Sequence, residues 1–200
     1  MRAADARPGR KRVSSRAMLE EAACELFLEQ TYAGTTVEQI AQRAGVSRNT
    51  FFNYFDAKSD VLWAGVDDST ERLSEQLAAE LPHTPPMRAV RNAFLRTAAA
   101  LSPGAIPLAI TQWHAMGVAA ELQSSGLPRF LRMASVVERF LNERTGLDAV
   151  GRFPAQPAAF AVVAAAVAAS GVWARAGVAR RELQSYVAEA IDPICDGFEA

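Results

Sequence analysis

Cysteine and histidine, which supply most metal sites and disulfide frameworks, are scarce in this sequence. Its 200 residues include two of each, and Cys24 and Cys195 form no metal-ligand spacing with His83 or His114. We therefore expect no metal, and we interpret the two cysteines as buried thiols of a reducing cytoplasm.

Catalytic motifs are missing as well. The two histidines are isolated, no nucleophile motif accompanies them, and most carboxylates fall on polar helix faces. Catalysis needs converging groups of these kinds, so the sequence predicts a protein without enzymatic activity and without a cofactor.

Neither an excess of one charge nor a long hydrophobic run marks the chain as a whole. The 21 basic and 22 acidic residues give a formal net charge of −1, which by itself points to no nucleic-acid or membrane partner. The longest apolar run, residues 158–174, is dominated by alanine and broken by Ser170 and Gly171. It falls short of the ~20 strongly apolar residues of a membrane-spanning helix, so we expect a buried helix of a soluble protein. The basic N-terminus has no apolar run behind it, so we expect no signal peptide.

Basic residues do concentrate at the N-terminus. Residues 1–16 hold six arginines and lysines, among them Arg10, Lys11 and Arg12, against the single acidic residue Asp5. Such a segment is either a solvated, disordered tail or an arm that contacts phosphates, and its position alone does not decide between the two. We treat residues 1–13 as a flexible basic arm.

Helical periodicity extends through nearly all of the remaining chain, and no segment alternates as a strand does. The pattern predicts an all-α fold of about nine helices. The predicted helices lie at residues 14–30, 36–44, 47–55, 58–79, 87–101, 106–121, 128–145, 157–176 and 180–198. The proline-rich segment PHTPP, residues 82–86, separates the fourth helix from the fifth.

Two short helices are joined by the turn AGVS, residues 44–47, which is the pattern of a helix-turn-helix. Gly45 supplies the left-handed backbone angle of the turn, and Ser47 caps the second short helix. Thr35 or Thr36 caps the first. We predict a helix-turn-helix domain at residues 14–58 and a second helical domain at residues 59–200.

The second short helix divides into an inner and an outer face. Phe51 and Phe55 lie four residues apart and are suited to pack inward, while the direction of Phe52 is open. The outer face carries groups that recognise bases, since arginine pairs with guanine, asparagine with adenine, and threonine meets the thymine methyl. The predicted DNA-binding residues are Arg48, Asn49, Thr50 and Asn53 towards bases, Thr36, Tyr54 and Lys58 towards phosphates, and Ser47 at the cap of the helix. The alternative is a helical protein-interaction module whose polar face is only solvated.

The segment LEEAACELFLEQTYAGTTVEQIAQRAGVSRNTFFNYFDAKSDVL, residues 19–62, resembles the TetR family of bacterial repressors. The shared elements are ELF in the first helix, TTV and IA before AGVS, the aromatic pair YF, and Lys58. The segment departs from the family at Asn49, at Phe51-Phe52 instead of Leu-Tyr, and at Asp56-Ala57 instead of Pro-Ser. Asp56 therefore becomes the candidate cap of the fourth helix.

This resemblance implies a ligand-released repressor that binds a palindromic operator as a homodimer. Its two recognition helices would enter successive major grooves about one helical turn apart. Arg10, Lys11 and Arg12 would add phosphate or minor-groove contacts that weaken with salt. Residues 59–200 would then hold an effector pocket and a dimer interface.

The last two helices are the candidates for that dimer interface. The penultimate helix offers a surface of small residues, and the last helix offers an apolar stripe. The residues concerned are Ala161, Ala164, Ala165, Ala168 and Ala169, and Tyr186, Val187, Ala190, Ile191, Ile194 and Phe198. The alternative is that this surface packs only within its own subunit.

Large apolar side chains on helices that must face one another are the candidates for the pocket wall. They are Phe94, Trp113, Met116, Phe130, Met133, Val137 and Trp173, with Gln112 and His114 as polar groups. Core packing is the alternative for each. Because this half lacks basic clusters, we expect a hydrophobic or aromatic effector. Trp63, near the start of the fourth helix, is expected to press on the first helix and to transmit its tilt.

Overall fold

The computed structural model describes residues 15–101, 112–145, 154–177 and 180–199. Within these ranges it contains nine α-helices and no strand, which confirms the predicted all-α fold. The helices are α1 (Ser15–Gly34), α2 (Val37–Arg43), α3 (Arg48–Phe52), α4 (Asp60–Ala78), α5 (Pro86–Ala99), α6 (Trp113–Met116), α7 (Ala119–Thr145), α8 (Ala155–Arg175) and α9 (Leu183–Glu199).

The end of α1 differs from the prediction in its backbone. Thr31 has φ 65° and ψ 164°, so the regular helix is interrupted after Gln30, where the periodicity placed its end. Thr31, and not Gly34, therefore takes the positive φ in this region. A β-branched residue is strained in that conformation.

The middle of the chain departs most from the predicted helix bounds. Of the predicted helix 106–121, residues 106–111 lie outside the described residues; within the rest, the four-residue α6 ends at Met116 and is followed by Gly117, whose φ is 64°. A 27-residue α7 then runs straight through the predicted joint SSGLP, with Pro128 inside it. Side chains satisfy carbonyls near the proline, because Ser125 Oγ donates to Glu121 O and Arg129 Nη1 donates to Ser125 O.

The described residues form two hydrophobic cores. The first joins α1, α2 and α3 to the start of α4, and Met116 and Val118 complete it. The second lies among α4, α5, α7, α8 and α9. Since Val61 and Leu62 belong to the first core, the chain has no break in packing at residue 58, and the domain division there stays a prediction.

Helix α8 corresponds to the alanine-rich run of the sequence. It is long and apolar enough to cross a membrane by length and composition, and 44% of its most apolar window is buried. It packs between α7 and α9, and Val162, Val163 and Trp173 on its inner side belong to the second core. A helix buried in the core of a globular protein passes the same test, and this packing accounts for the inner side of the helix.

Candidate nucleic-acid interface and ligand cavity

The helix-turn-helix is held by local interactions that the sequence indicated. Thr36 is the cap of α2, and it forms a capping box in which Thr36 Oγ1 accepts from Gln39 N at 3.2 Å and Gln39 Oε1 accepts from Thr36 N at 2.8 Å. Gly45 has φ 69°, and Ser47 Oγ accepts from Thr50 N at 3.0 Å. The predicted roles of Gly45 and Ser47 in the fold are thereby confirmed.

The inner face of α3 is aromatic. Phe51 is fully buried and Phe55 is nearly so, and their ring centroids lie 5.4 Å apart. Phe52 is 40% exposed and stands edge-on to Phe51, so it lies at the rim of the core and not inside it. Helix α3 ends at Phe52, three residues before the predicted end, with Asn53 as its C-cap.

The outer face of α3 carries the predicted base-contacting residues. Arg48, Asn49 and Asn53 are exposed, and Thr50 is half-buried. Arg48 Nε lies 2.5 Å from Glu38 Oε1, and the guanidinium lies 4.7 Å from the centre of the Phe52 ring. The helix therefore presents polar side chains to solvent on a rigid aromatic base.

The predicted phosphate-contacting residues lie in different environments. The hydroxyl of Thr36 serves the capping box, and Tyr54 is exposed beyond the end of α3. Arg10, Lys11 and Arg12 lie outside the described residues.

Lys58 fastens the segment before α4 to the turn between α1 and α2. Its Nζ donates to Tyr32 O and to Thr35 O, both at 2.7 Å, and lies 3.9 Å from the centre of the Tyr32 ring. Burial lowers the pKa of Lys58. The predicted helix start at Lys58 is wrong, because α4 begins at Asp60. The cap expected from Asp56 is also absent from that helix start, where Asp60 Oδ2 accepts from Ala57 N at 2.7 Å.

A cavity of about 530 Å³ lies among α4, α5, α7, α8 and α9. Four of the predicted wall residues line it, namely Phe94, Trp113, Met133 and Trp173. Sequence reasoning missed other wall residues, among them Trp63, Leu73, Thr97, Leu122, Gln123 and Arg175. Most of this wall is apolar, as is typical of small-molecule sites.

The other five predicted pocket residues lie away from this cavity wall. Met116 and Val137 are fully buried in the first and second cores. Phe130 stands edge-on to Phe160, with ring centroids 5.6 Å apart. Gln112 and His114 are exposed, and the imidazole stacks on Trp113. Core packing, the alternative for each candidate, describes Met116 and Val137, whereas Gln112 and His114 are exposed.

One polar atom in the cavity wall has no partner. Thr97 is nearly buried, and its Oγ1 is the one buried side-chain oxygen or nitrogen of the described residues that makes no hydrogen bond. The serines of the wall are satisfied, since Ser69 Oγ donates to Gly65 O and Ser170 Oγ donates to Ala166 O. A buried hydroxyl without a partner costs about 1–3 kcal/mol, so Thr97 is the polar group of this wall best placed to gain from a ligand.

Trp63 connects the cavity to the start of α4. Its Nε1 donates to Ser125 Oγ on α7 at 2.7 Å, and the guanidinium of Arg129 lies 5.4 Å from its ring centre. Arg129 also pairs with Asp60 at 2.8 Å and with Asp67 at 3.2 Å, both on α4. Trp63 thus has a polar connection to α7 that the sequence did not indicate, and its expected pressure on the first helix stays a prediction.

The predicted dimer surface separates into a buried and an exposed part. Ala169 of α8 and Val187 and Ile191 of α9 are buried in the second core. Ala164 and Ala168 are exposed, and so are Val167 and Val172, at 53% and 51%. Beside them, Tyr186, Ala190, Ile194 and Phe198 of α9 are half-buried, as are Ala161 and Ala165 of α8. An apolar face of α8 therefore stays open to solvent in the single chain.

No group of three or more histidine, cysteine, aspartate and glutamate residues in the described ranges is arranged to hold a metal ion. Burial raises the pKa of the Cys24 thiol to about 11 and that of Cys195 to about 12. Both thiols are therefore protonated and unreactive at neutral pH.

Comparisons with known proteins agree with this architecture. TcmR of Streptomyces glaucescens, an HTH-type transcriptional regulator, is 31% identical over 144 residues, which cover 70% of this chain and 64% of TcmR. MftR of Mycobacterium tuberculosis, described as a mycofactocin biosynthesis transcriptional regulator, is 25% identical over 174 residues, covering 86% of this chain and 85% of MftR. The crystal structure of NalD, the secondary repressor of the MexAB-OprM efflux pump of Pseudomonas aeruginosa, shares the fold with a TM-score of 0.60 at 20% identity, covering 92% of this chain and 96% of NalD.

Two family models together match most of the chain. Residues 19–64, which include the whole helix-turn-helix, match the bacterial regulatory proteins of the tetR family. Residues 84–199 match the MftR C-terminal domain, and this second match alone spans more than half of the chain. The protein therefore belongs to the TetR family of transcriptional regulators.

Proposed function

We propose that the protein is a cytoplasmic repressor that binds a palindromic operator as a homodimer and leaves it when a small hydrophobic or aromatic ligand enters the cavity. The observation that carries this proposal is the outward polar face of α3, which is held on a buried aromatic base within a helix-turn-helix. Residues 14–58 would bind DNA, and residues 59–200 would bind the effector and the partner chain.

On the operator, α3 would lie in the major groove with its N-terminal residues against the bases. Arg48 would donate to guanine and Asn49 to adenine, with Ser47, Thr50 and Asn53 beside them. Tyr54, Thr36 and the basic arm would contact phosphates, and Lys58 would have one N–H left for a phosphate after its two carbonyl contacts.

Selection of bound duplexes from genome fragments, in low and in moderate salt, tests the DNA proposal. We expect a palindromic consensus, and we expect Arg48→Ala to weaken specific binding by about 1–3 kcal/mol. Arg139→Ala is the matched control, because Arg139 is exposed on α7, away from α3. If no sequence is enriched at either salt concentration, the protein is the alternative, a helical interaction module.

The open apolar face of α8 supports dimerisation, because a monomer that leaves such a face in water gains from covering it. Val172→Glu should convert the dimer to a monomer in light scattering after size-exclusion chromatography. Leu81→Glu, an equally exposed apolar position near the end of α4, should not. A wild-type protein that is monomeric at micromolar concentration would contradict this part of the proposal.

The ligand is expected to be mostly apolar and to carry one neutral hydrogen-bonding group. The wall of the cavity supports this chemistry, since its one unpartnered buried polar atom is the hydroxyl oxygen of Thr97. Screening of matched compounds, such as an aromatic hydrocarbon and its phenol, tests it. Thr97→Val should weaken binding of the phenol about fivefold or more and leave the hydrocarbon unchanged.

Membership in the TetR family points to regulation and not to catalysis. We therefore propose no enzymatic activity for this chain.

A further inference from the structure

Arg48, the residue proposed to contact guanine, is already held in place in the free protein. Its Nε lies 2.5 Å from Glu38 Oε1, and its guanidinium stacks 4.7 Å from the centre of the Phe52 ring. Phe52 in turn stands edge-on to Phe51, which is completely buried. A chain of contacts therefore runs from the core of the helix-turn-helix through Phe52 to the guanidinium.

Glu38 comes from the neighbouring helix and not from α3 itself. It is the second residue of α2 and lies between Thr36 and Gln39, the two residues of the capping box, so its backbone is anchored. The capped start of α2 and the capped start of α3 thereby place an acidic and a basic side chain side by side. Glu38 is the only described residue that forms an ion pair with Arg48.

The ion pair between Glu38 and Arg48 Nε leaves the terminal nitrogens of the guanidinium available to a base. Glu38 Oε1 contacts Arg48 at Nε, whereas Nη1 and Nη2 are the nitrogens at the tip of a side chain that is 57% exposed. Guanine offers O6 and N7 as two adjacent acceptors in the major groove, which suit two parallel N–H donors. An arginine that is oriented before binding loses less rotamer freedom when it pairs with a base.

The charge of Glu38 has a second consequence for DNA binding. An exposed carboxylate beside α3 repels the phosphates of any DNA that the protein binds. This repulsion grows as the carboxylate and the phosphates approach each other. The pKa of Glu38 is lowered, first by a backbone hydrogen bond at its own residue and then by Arg48, so the carboxylate is charged at neutral pH. This repulsion opposes binding to every duplex, and the base contact of Arg48 offsets it only where a guanine is present.

We propose that Glu38 is a specificity-determining residue of the operator-binding surface, which orients Arg48 against Phe52 for a single guanine and penalises non-specific DNA. This inference rests on the proposed function, namely that α3 contacts bases. It assigns Glu38 a positioning role and no base contact of its own.

The test uses the full-length protein and the consensus duplex obtained by selection. Dissociation constants are measured for wild type, Glu38→Gln, Arg48→Ala and the double variant, on the consensus, on duplexes with each guanine replaced, and on a random duplex. Arg48→Ala identifies the guanine that Arg48 contacts, because discrimination at that position disappears. Glu71→Gln is the matched control, since Glu71 is an exposed carboxylate of α4 that pairs loosely, at 3.8 Å, with Arg132.

Wild type should prefer its guanine by about tenfold or more. Glu38→Gln should reduce this preference at least threefold at that position alone, and should raise affinity for the random duplex. In the Arg48→Ala background, Glu38→Gln should change no base preference. Glu71→Gln should change none of these values beyond error, and circular dichroism should show every variant folded.

Two results would overturn the inference in distinguishable ways. If Glu38→Gln raises affinity for all duplexes equally and keeps the guanine preference, Glu38 is only a repelling charge, and the proposed function stands. If wild type prefers no sequence at all, both the proposed function and the inference are refuted.

Discussion

Replacing Lys58 by methionine removes the ammonium group that fastens the start of α4 to the turn between α1 and α2. Methionine keeps most of the length and the apolar contact with the Tyr32 ring, but it cannot donate to Tyr32 O or Thr35 O. The two donor–acceptor distances of 2.7 Å indicate short, charge-assisted bonds. The substitution therefore isolates the polar part of this connection.

The expected loss follows from these two bonds. A hydrogen bond to a charged group contributes about 1.5–3 kcal/mol, but Lys58 is only half-buried and regains hydration when it is released. We therefore expect the free energy of unfolding to fall by about 2 kcal/mol in total. For a chain of this length that corresponds to a decrease in Tm of about 4–8 °C.

Urea unfolding followed by circular dichroism measures this change. Arg132→Met is the control, because Arg132 is an exposed cation whose nearest carboxylate oxygen, on Glu71, lies 3.8 Å away, and it should lose less than about 0.5 kcal/mol. If Lys58→Met is as stable as that control, the carbonyl contacts do not hold the fold, and the reasoning is refuted. The salt dependence of operator binding gives a separate measurement. If Lys58 contacts a phosphate, Lys58→Met should lower the slope of the logarithm of the binding constant against the logarithm of salt concentration by about one.

Three further predictions concern the interior. Thr97→Val should stabilise the ligand-free protein by about 1 kcal/mol in thermal unfolding, because it removes a buried hydroxyl that has no partner; a destabilised variant would mean that the hydroxyl is satisfied. Arg129→Met should lower the free energy of unfolding in urea by about 1–3 kcal/mol, because the Arg129 side chain is only 16% exposed and joins α7 to two carboxylates of α4. The same substitution should reduce ligand-induced release of DNA. Unchanged release would show that Arg129 does not couple the two sites. The free energy of unfolding should fall as pH rises above about 8.5, because the folded pKa values of about 11 for Cys24 and about 12 for Cys195 lie above those of unfolded thiols. Urea titrations at neutral and alkaline pH should show a smaller fall when both cysteines are alanine, and an equal fall would refute this assignment.

The helix-turn-helix was predictable because its signals are local. Gly45 and Ser47 determine backbone conformation within a few residues of themselves, and the spacing of Phe51 and Phe55 predicted their burial, although Phe55 lies beyond the end of α3. The bounds of the flanking elements were less accurate. Helix α3 stops at Phe52, because the chain turns there to bring Phe55 back onto the core.

The cavity could not be derived in the same way, because periodicity indicates burial but not what a buried side chain faces. Val137 and Phe94 are both apolar and both belong to the second core, yet of the two Phe94 alone also lines the cavity. Thr97 carried no signal in the sequence at all. Its importance comes from the absence of a partner, which only the arrangement of α5 against neighbouring helices determines.

The segment DAKSDVLW, residues 56–63, overlaps the family motif, but its residues make contacts that the motif does not indicate. Lys58 holds the turn before the helix-turn-helix, Asp60 accepts from Ala57 N and pairs with Arg129, and Trp63 bonds to α7 in the cavity wall. Four residues thus lie between Lys58, which contacts the DNA-binding helices, and Trp63, which lines the proposed ligand site. We propose that a shift of α7 at Trp63 would reach Lys58 through this short, hydrogen-bonded segment, which lies before and within the first turn of α4. The start of α4, rather than its length, would then be the part of the helix that couples the two sites.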